Sequence, residues 1–138
     1  MTTQTLVAVR PEDVRYIWDV VKPLIDKALH HSAGEMDSSD VLNLITKGTE
    51  VLWVGIKDEK IFCAGTTEFI HYPKKKVLRI ITFATEPGYY YKLWGDFINT
   101  LERFGKQNKC NSIEAWARKG LAKKLKWDNE YSVITKNI

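Results

Sequence analysis

The run Val77-Leu78-Arg79-Ile80-Ile81-Thr82-Phe83 is rich in β-branched residues and predicts a buried strand. A short break, Ala84-Thr85-Glu86-Pro87-Gly88, separates it from Tyr90, Leu93, Trp94, Phe97, Leu101 and Phe104, which recur at helical spacing. A strand that gives way to a helix through a short turn aims the helix's unbonded N–H groups at the loop. Such a place suits an anion, and a phosphate-bearing ligand above all. An ordinary β-turn-α connection with nothing bound has the same sequence signature.

A chain of 138 residues can bury a sizeable core, and the expectation is one domain spanning 1–138. No apolar run approaches the roughly 20 residues of a membrane span. Met1-Thr2-Thr3-Gln4-Thr5 lacks the basic and apolar parts of a secretory signal, so a cytoplasmic chain without a membrane partner is expected. Cys63 falls in an apolar strand and Cys110 at a helix end, without metal-ligand spacing. Reduced thiols and no metal site follow.

The net charge of +4 is divided unevenly. Through His71 there are 7 Lys and Arg against 11 Asp and Glu, a net of −4; from Tyr72 the count is 14 against 6, a net of +8. A basic second half points to a polyanionic ligand: nucleic acid, a phosphorylated cofactor or an acidic protein surface. A solvated lysine-rich face explains the same counts. Lys119, Lys123, Lys124 and Lys126 near Trp116 and Trp127 interleave base and aromatic as nucleic-acid binders do. A surface helix has that pattern too, and nucleic acid is not the expected partner.

In chain order, residues 5–9 predict a short strand. Pro11, Glu12 and Asp13 suit a helix start, and Val14, Ile17, Trp18, Val21, Ile25 and Leu29 make one apolar stripe. Pro23 predicts a kink or break around Val21 and Lys22. His30-His31 lacks a third ligand nearby and reads as an exposed helix end. Asp37 with Asp40 predicts a capped helix carrying Val41, Leu44 and Ile45, stopped by Gly48. Residues 51–56, 61–72 and 77–83 then form three antiparallel strands, the first two joined at Lys57-Asp58-Glu59-Lys60. Gly65 marks a bulge or a close approach of a ligand. After the helix come a strand at 112–117, a short helix at 120–127 and a strand at 131–135. The order β-α-α-β-β-β-α-β-α-β predicts an α/β (α+β) fold, a mixed, mostly antiparallel central sheet flanked by helices.

Several pieces in this order carry a likeness over nearly the whole chain: Leu52-Trp53-Val54-Gly55-Ile56 before a charged turn, Cys63-Ala64-Gly65-Thr66-Thr67-Glu68, Leu101-Glu102-Arg103-Phe104-Gly105, Ile113-Glu114-Ala115-Trp116-Ala117-Arg118-Lys119-Gly120-Leu121, and Leu125-Lys126-Trp127. The chain resembles the GCN5-related N-acetyltransferase (GNAT) superfamily, with small phage-encoded GNAT-like proteins the nearest look. The resemblance implies an acyl-CoA-dependent N-acetyltransferase of phage type. It would take acetyl-CoA as cofactor and a small-molecule or protein amine as acceptor. In that superfamily the fourth strand splays from the fifth and the pantetheine lies in the gap. Carried over, the cofactor residues are Thr82, Phe83, Ala84 and Thr85 on the strand, Gly88, Tyr89, Tyr90 and Lys92 at the helix start, and Trp116 and Arg118 on the next strand. Glu68 in the third strand is the expected general base, and Tyr131 the expected general acid.

The loop Thr85-Glu86-Pro87-Gly88-Tyr89-Tyr90-Tyr91 departs from the superfamily's glycine-rich pyrophosphate pattern. Leu125 stands where a tyrosine acid is usual, and it cannot protonate a thiolate. These departures keep an alternative open, a catalytically inactive GNAT-fold phage protein acting in the virion or on the host. Its partners would be other virion proteins, its place the host cytoplasm or the particle. A homodimer is a further open expectation, from the aromatic-rich surface.

Overall fold

The computed structural model describes residues 4–30, 34–88, 91–115, 123, 126–128 and 134–138, with residues 91–94 described by backbone alone. In chain order these form β1 (Gln4–Val9), α1 (Val14–Leu29) after a 3-10 turn at Pro11–Asp13, α2 (Ser38–Thr46), β2 (Glu50–Lys57), β3 (Lys60–Tyr72), β4 (Lys75–Thr85), α3 (Tyr91–Gln107) and β5 (Ser112–Ala115). The five described strands lie in the order β1-β2-β3-β4-β5. The first four pair antiparallel through short or helical connections. β5 runs parallel to β4 because α3 carries the chain back across the sheet, as a parallel neighbour requires.

Two apolar faces hold the sheet between helices. On one, Val14, Val21, Leu24 and Ile25 of α1 and Val41 and Ile45 of α2 pack with Leu52, Val54, Ala64 and Ala84. On the other, Phe97 and Leu101 of α3 pack with Trp53, Leu78 and Ile80. Each such side chain contributes roughly 1.5–3 kcal/mol on burial. That burial explains why α1 continues through Pro23 without the break that is one of the two expectations there. Losing one backbone bond at an exposed position costs about 3 kcal/mol. The neighbours Val21, Leu24 and Ile25 are nearly inaccessible, and their packing outweighs it.

α2 has both terminal devices the sequence predicts. Asp37 accepts from the Asp40 N–H and Asp40 from the Asp37 N–H, each at 3.0 Å, a closed capping box. At the other end Gly48 takes φ 82°, its N–H bonding the Ile45 carbonyl while the Thr49 N–H bonds that of Leu44. This is a Schellman stop. The β2–β3 turn places Asp58 and Glu59 at φ 52° and 64°, the left-handed pair that a two-residue hairpin needs.

Two bulges bend the sheet. Phe62 is the extra residue opposite Gly55 and Ile56, and Ile81 the extra one opposite Thr66 and Thr67. Gly65 beside the second bulge permits a close approach, as its sequence position suggests. The approaching group is β4 itself: a Cβ there would lie 2.8 Å from the Thr82 carbonyl oxygen and 3.1 Å from the Phe83 ring. Of the predicted last helix, Lys123 is helical, and most of the rest lies outside the described residues. Of the predicted last strand, Ile134 and Thr135 are not in a strand and the remainder lies outside them.

Candidate functional site at the free edge of β4

Among the described residues β4 and β5 pair from Val77↔Ser112 to Ile80↔Ala115. Beyond that point β4 continues for residues 81–85, held on its other side by β3 through Thr82↔Thr66 and on to Thr85↔Cys63. Among the described residues no strand covers that edge. The Ile81 bulge lies just past Ile80, the last described partner of β5, and a bulge adds local twist to its strand. Along this stretch Thr82, Ala84 and Thr85 are buried, at 5%, 7% and 8% exposure.

The loop after β4 is less generous. The Glu86 N–H already donates to the Phe62 carbonyl at 2.8 Å, and Pro87 has none to give. Gly88, at φ 97°, is exposed and has nothing within 4 Å of a would-be Cβ. Lys27 of α1 donates from Nζ to the Thr85 carbonyl at 2.8 Å, placing a cation at this end of the strand. For a diphosphate the described loop residues supply Gly88 and the start of α3.

The predicted residues divide as follows. Phe83 and Ala84 turn their side chains into opposite cores, Phe83 packing on Phe97 with centroids 4.6 Å apart, so what they offer a ligand is backbone. Thr85 is buried, its hydroxyl donating to the Phe62 carbonyl at 3.3 Å. Tyr89, Tyr90, Trp116, Arg118 and Tyr131 lie outside the described residues, as does the side chain of Lys92 in the first turn of α3. Thr82 and Glu68 are brought to one face of the sheet, the face that α1 and α2 cover.

On that face four ionisable side chains stand in a single row across the strands: Glu50 opposite Glu68, Glu68 opposite Arg79, Arg79 opposite Glu114. At its β5 end, Arg79 Nε donates to Glu114 Oε1 at 2.6 Å, and Tyr72 bridges the two, donating to Glu114 and accepting from Arg79 at 3.2 Å each. At its β2 end Glu50 is only 2% exposed. Burial pushes its carboxyl up to about 7; the Thr66 hydroxyl bonded to it opposes the rise and the charge of Glu68 adds to it. Its Oε1 has no hydrogen-bond partner among the described residues. One step along the face, the Thr66 and Thr82 hydroxyls bond each other at 2.8 Å.

Sequence reasoning missed Glu50. It closes a polar turn and opens an apolar run, and nothing local marks it as buried; only the register with Glu68 does. The thiols take no part in such chemistry: burial pushes Cys63 up to about 12 and raises Cys110 as well. Among the described residues there is no group of three metal-ligating side chains, and no helix is long and apolar enough to cross a membrane.

A five-strand, mostly antiparallel sheet between helices, its fifth described strand parallel to the fourth after a crossover helix, makes one recognisable scaffold. That scaffold is the fold of the GNAT-family acetyltransferases. A GNAT family acetyltransferase of Staphylococcus aureus superposes with a TM-score of 0.70 at 18% identity, over 99% of each chain. An aminoglycoside N-acetyltransferase, AAC(6')-Iy, in complex with CoA gives 0.74 at 11% identity, over 100% of this chain and 96% of the other. A predicted acetyltransferase of Clostridium acetobutylicum with acetyl-CoA gives 0.71 at 15% identity, over 98% and 96%. At such identities the likeness shows the fold. No protein-family model and no curated protein matches the chain.

Proposed function

We propose that the chain is an acyl-CoA-dependent N-acetyltransferase that moves an acetyl group from acetyl-CoA to an amine. The observation that carries this reading is the β5-side edge of β4 over residues 81–85, beyond the last described pair Ile80↔Ala115. Two neighbours of the same fold hold CoA or acetyl-CoA, which supports it. The pantetheine amides would pair along that edge, and bound acetyl-CoA would supply an activated acyl group. This chain's own task is to orient the amine and take its proton. The acceptor is a small-molecule or protein amine. The row of Glu50, Glu68, Arg79 and Glu114 carries three acids against one base, which favours an acceptor that is itself cationic. Glu68 lies where its carboxylate can draw that amine in, and Tyr131 is the proposed proton donor to the departing thiol.

Isothermal titration with acetyl-CoA tests the reading. The expected result is one site with Kd on the order of 10 µM. No heat at about millimolar ligand would remove it. A second reading has its own support in Glu86 and Pro87, which leave the loop short of donors for a diphosphate. On that reading the chain is an inert scaffold, a phage virion or host-interaction protein, found in purified particles and silent towards acetyl-CoA.

A further inference from the structure

Elsewhere in the molecule cations pair with carboxylates: Arg10 with Glu12 and Asp13, Lys22 with Asp26, Arg79 with Glu114. One end of the sheet departs from this habit. Asn111 ties the turn between β3 and β4 to the end of α3: its N–H donates to the Lys76 carbonyl at 2.8 Å, and its Oδ1 accepts from the Lys76 N–H at 2.9 Å. Lys76 Nζ donates in turn to the Asn108 carbonyl at 2.8 Å. Two segments 35 positions apart are thereby held side by side. Residues 70–78 and 103–113 contain six Lys and Arg and no Asp or Glu. Lys74 and Lys75 on the turn, with Lys106 and Lys109 at the end of α3, are exposed. No salt bridge among the described residues engages any of these four.

Like charges gathered without a counter-charge repel one another, which weakens the fold unless something negative is met there. The dipole of α3 accounts for Lys106 in its last turn. It does not account for Lys74 and Lys75, nor for the backbone at Lys109. The Cys110 N–H bonds the Gly105 carbonyl at 2.8 Å and the Lys109 N–H bonds that of Lys106 at 3.1 Å, the same stop that ends α2. In α2 the left-handed residue is Gly48; here it is Lys109, at φ 61°. A side chain at that φ is strained where glycine is not. A cation held at a strained position, beside other cations without partners, points to a negative ligand.

The kind of ligand follows from what the surface lacks. A protein–protein interface is built on aromatic or aliphatic anchors, and lysine is depleted in its core. Among the described residues the exposed large apolar side chains are Tyr16, Val20, Ile134 and Ile138, all outside these two segments. Phosphate contacts need no such anchor, because the release of counterions drives them. We propose that Lys74, Lys75, Lys106 and Lys109 form a surface that binds the phosphate backbone of a nucleic acid without reading its bases. None of the four belongs to the interleaved stretch from Lys119 to Lys126. What assembles them is the contact between two distant segments, which no local sequence pattern displays. Residues 81–85 lie at the other end of β4, so this surface and the acetyltransferase reading stand separately.

Fluorescence anisotropy of a short labelled DNA duplex of mixed sequence, titrated with the full chain and no cofactor, tests the surface. Binding is expected with Kd on the order of 10 µM at about 100 mM salt, whatever the base sequence. Log K should fall with log salt at a slope of about −3 to −4, near −0.9 for each of roughly four phosphate contacts. Lys74→Gln, Lys75→Gln, Lys106→Gln and Lys109→Gln combined should weaken binding by more than about tenfold and remove most of that slope. Lys109→Gly alone should weaken binding about fivefold and at the same time raise Tm, since glycine relieves the left-handed residue. Lys60→Gln, at the turn between β2 and β3, is the control and should leave affinity nearly unchanged. Thermal melts show that each variant is folded. No binding at about 50 mM salt, or binding that survives the combined replacement in folded protein, overturns the proposal. So does an equal loss with Lys60→Gln. Poly-glutamate that binds as tightly as DNA, with the same dependence on the four lysines, overturns nucleic acid as the occupant and makes the surface a dock for an acidic protein.

Discussion

Glu50→Gln is expected to make the protein more stable at pH 8 by about 2–3 kcal/mol, and to leave it nearly unchanged near pH 4.5. The folded state raises the Glu50 carboxyl from its ordinary 4.5 to about 7 because burial disfavours the charge. A raised carboxyl means that the folded chain keeps a proton which the unfolded chain releases. Stability is therefore present in full below about pH 4.5 and is lost as pH rises through about 7, by about 3 kcal/mol in all. Glutamine keeps the shape and removes the charge; its amide must find partners beside Thr66, which trims the gain. Urea unfolding of both proteins at the two pH values measures the difference directly. An equal difference at both would show that Glu50 is not the group that carries this proton.

Gly65→Val should lower stability by about 3 kcal/mol or more, enough to drop Tm by on the order of 10 °C. A Cβ at this position meets the Thr82 carbonyl oxygen at 2.8 Å and the Phe83 ring at 3.1 Å, with Phe97 at 3.5 Å behind. The first of these is backbone and cannot swing aside. Phe83 is fixed by its packing on Phe97, so β4 itself must shift away from β3. Such a shift opens the Thr66–Thr82 bond one residue along. Gly95→Ala in α3 is the control. Nothing lies within 4 Å of its would-be Cβ, and the change should stabilise by up to about 1 kcal/mol. Thermal melts of both variants would check the pair. A Gly65→Val protein that melts with the wild type would mean that β3 and β4 do not approach so closely.

What the sequence discloses and what it hides follow from the range of the interactions. Asp37 with Asp40, and Gly48 at the end of the same helix, act within a few residues, and both appear as expected. The β-branched run at 77–83 needs cover on both faces, so its place inside the sheet is legible as well. Pro23 misled because its local cost is set against packing made by distant strands. The turn at Lys57-Asp58-Glu59-Lys60 is where the polar run predicts it, and the strands on either side hold Asp58 and Glu59 in the left-handed region. The site is mostly long-range. Glu68 could be singled out within its own strand, but Glu50, 18 positions earlier, becomes its partner only through the β2–β3 register. Likewise Arg79 and Glu114 are 35 positions apart and meet only because α3 returns the chain beside β4.

The claim on which the rest depends is that residues 81–85 of β4 form a ligand-binding edge. Backbone amide NMR during titration with acetyl-CoA tests it most directly. The predicted result is a set of saturable shifts centred on the amides of residues 81–85 and Gly88, with β1 and α2 unmoved. Shifts absent from residues 81–85, or confined to another part of the molecule, would contradict it.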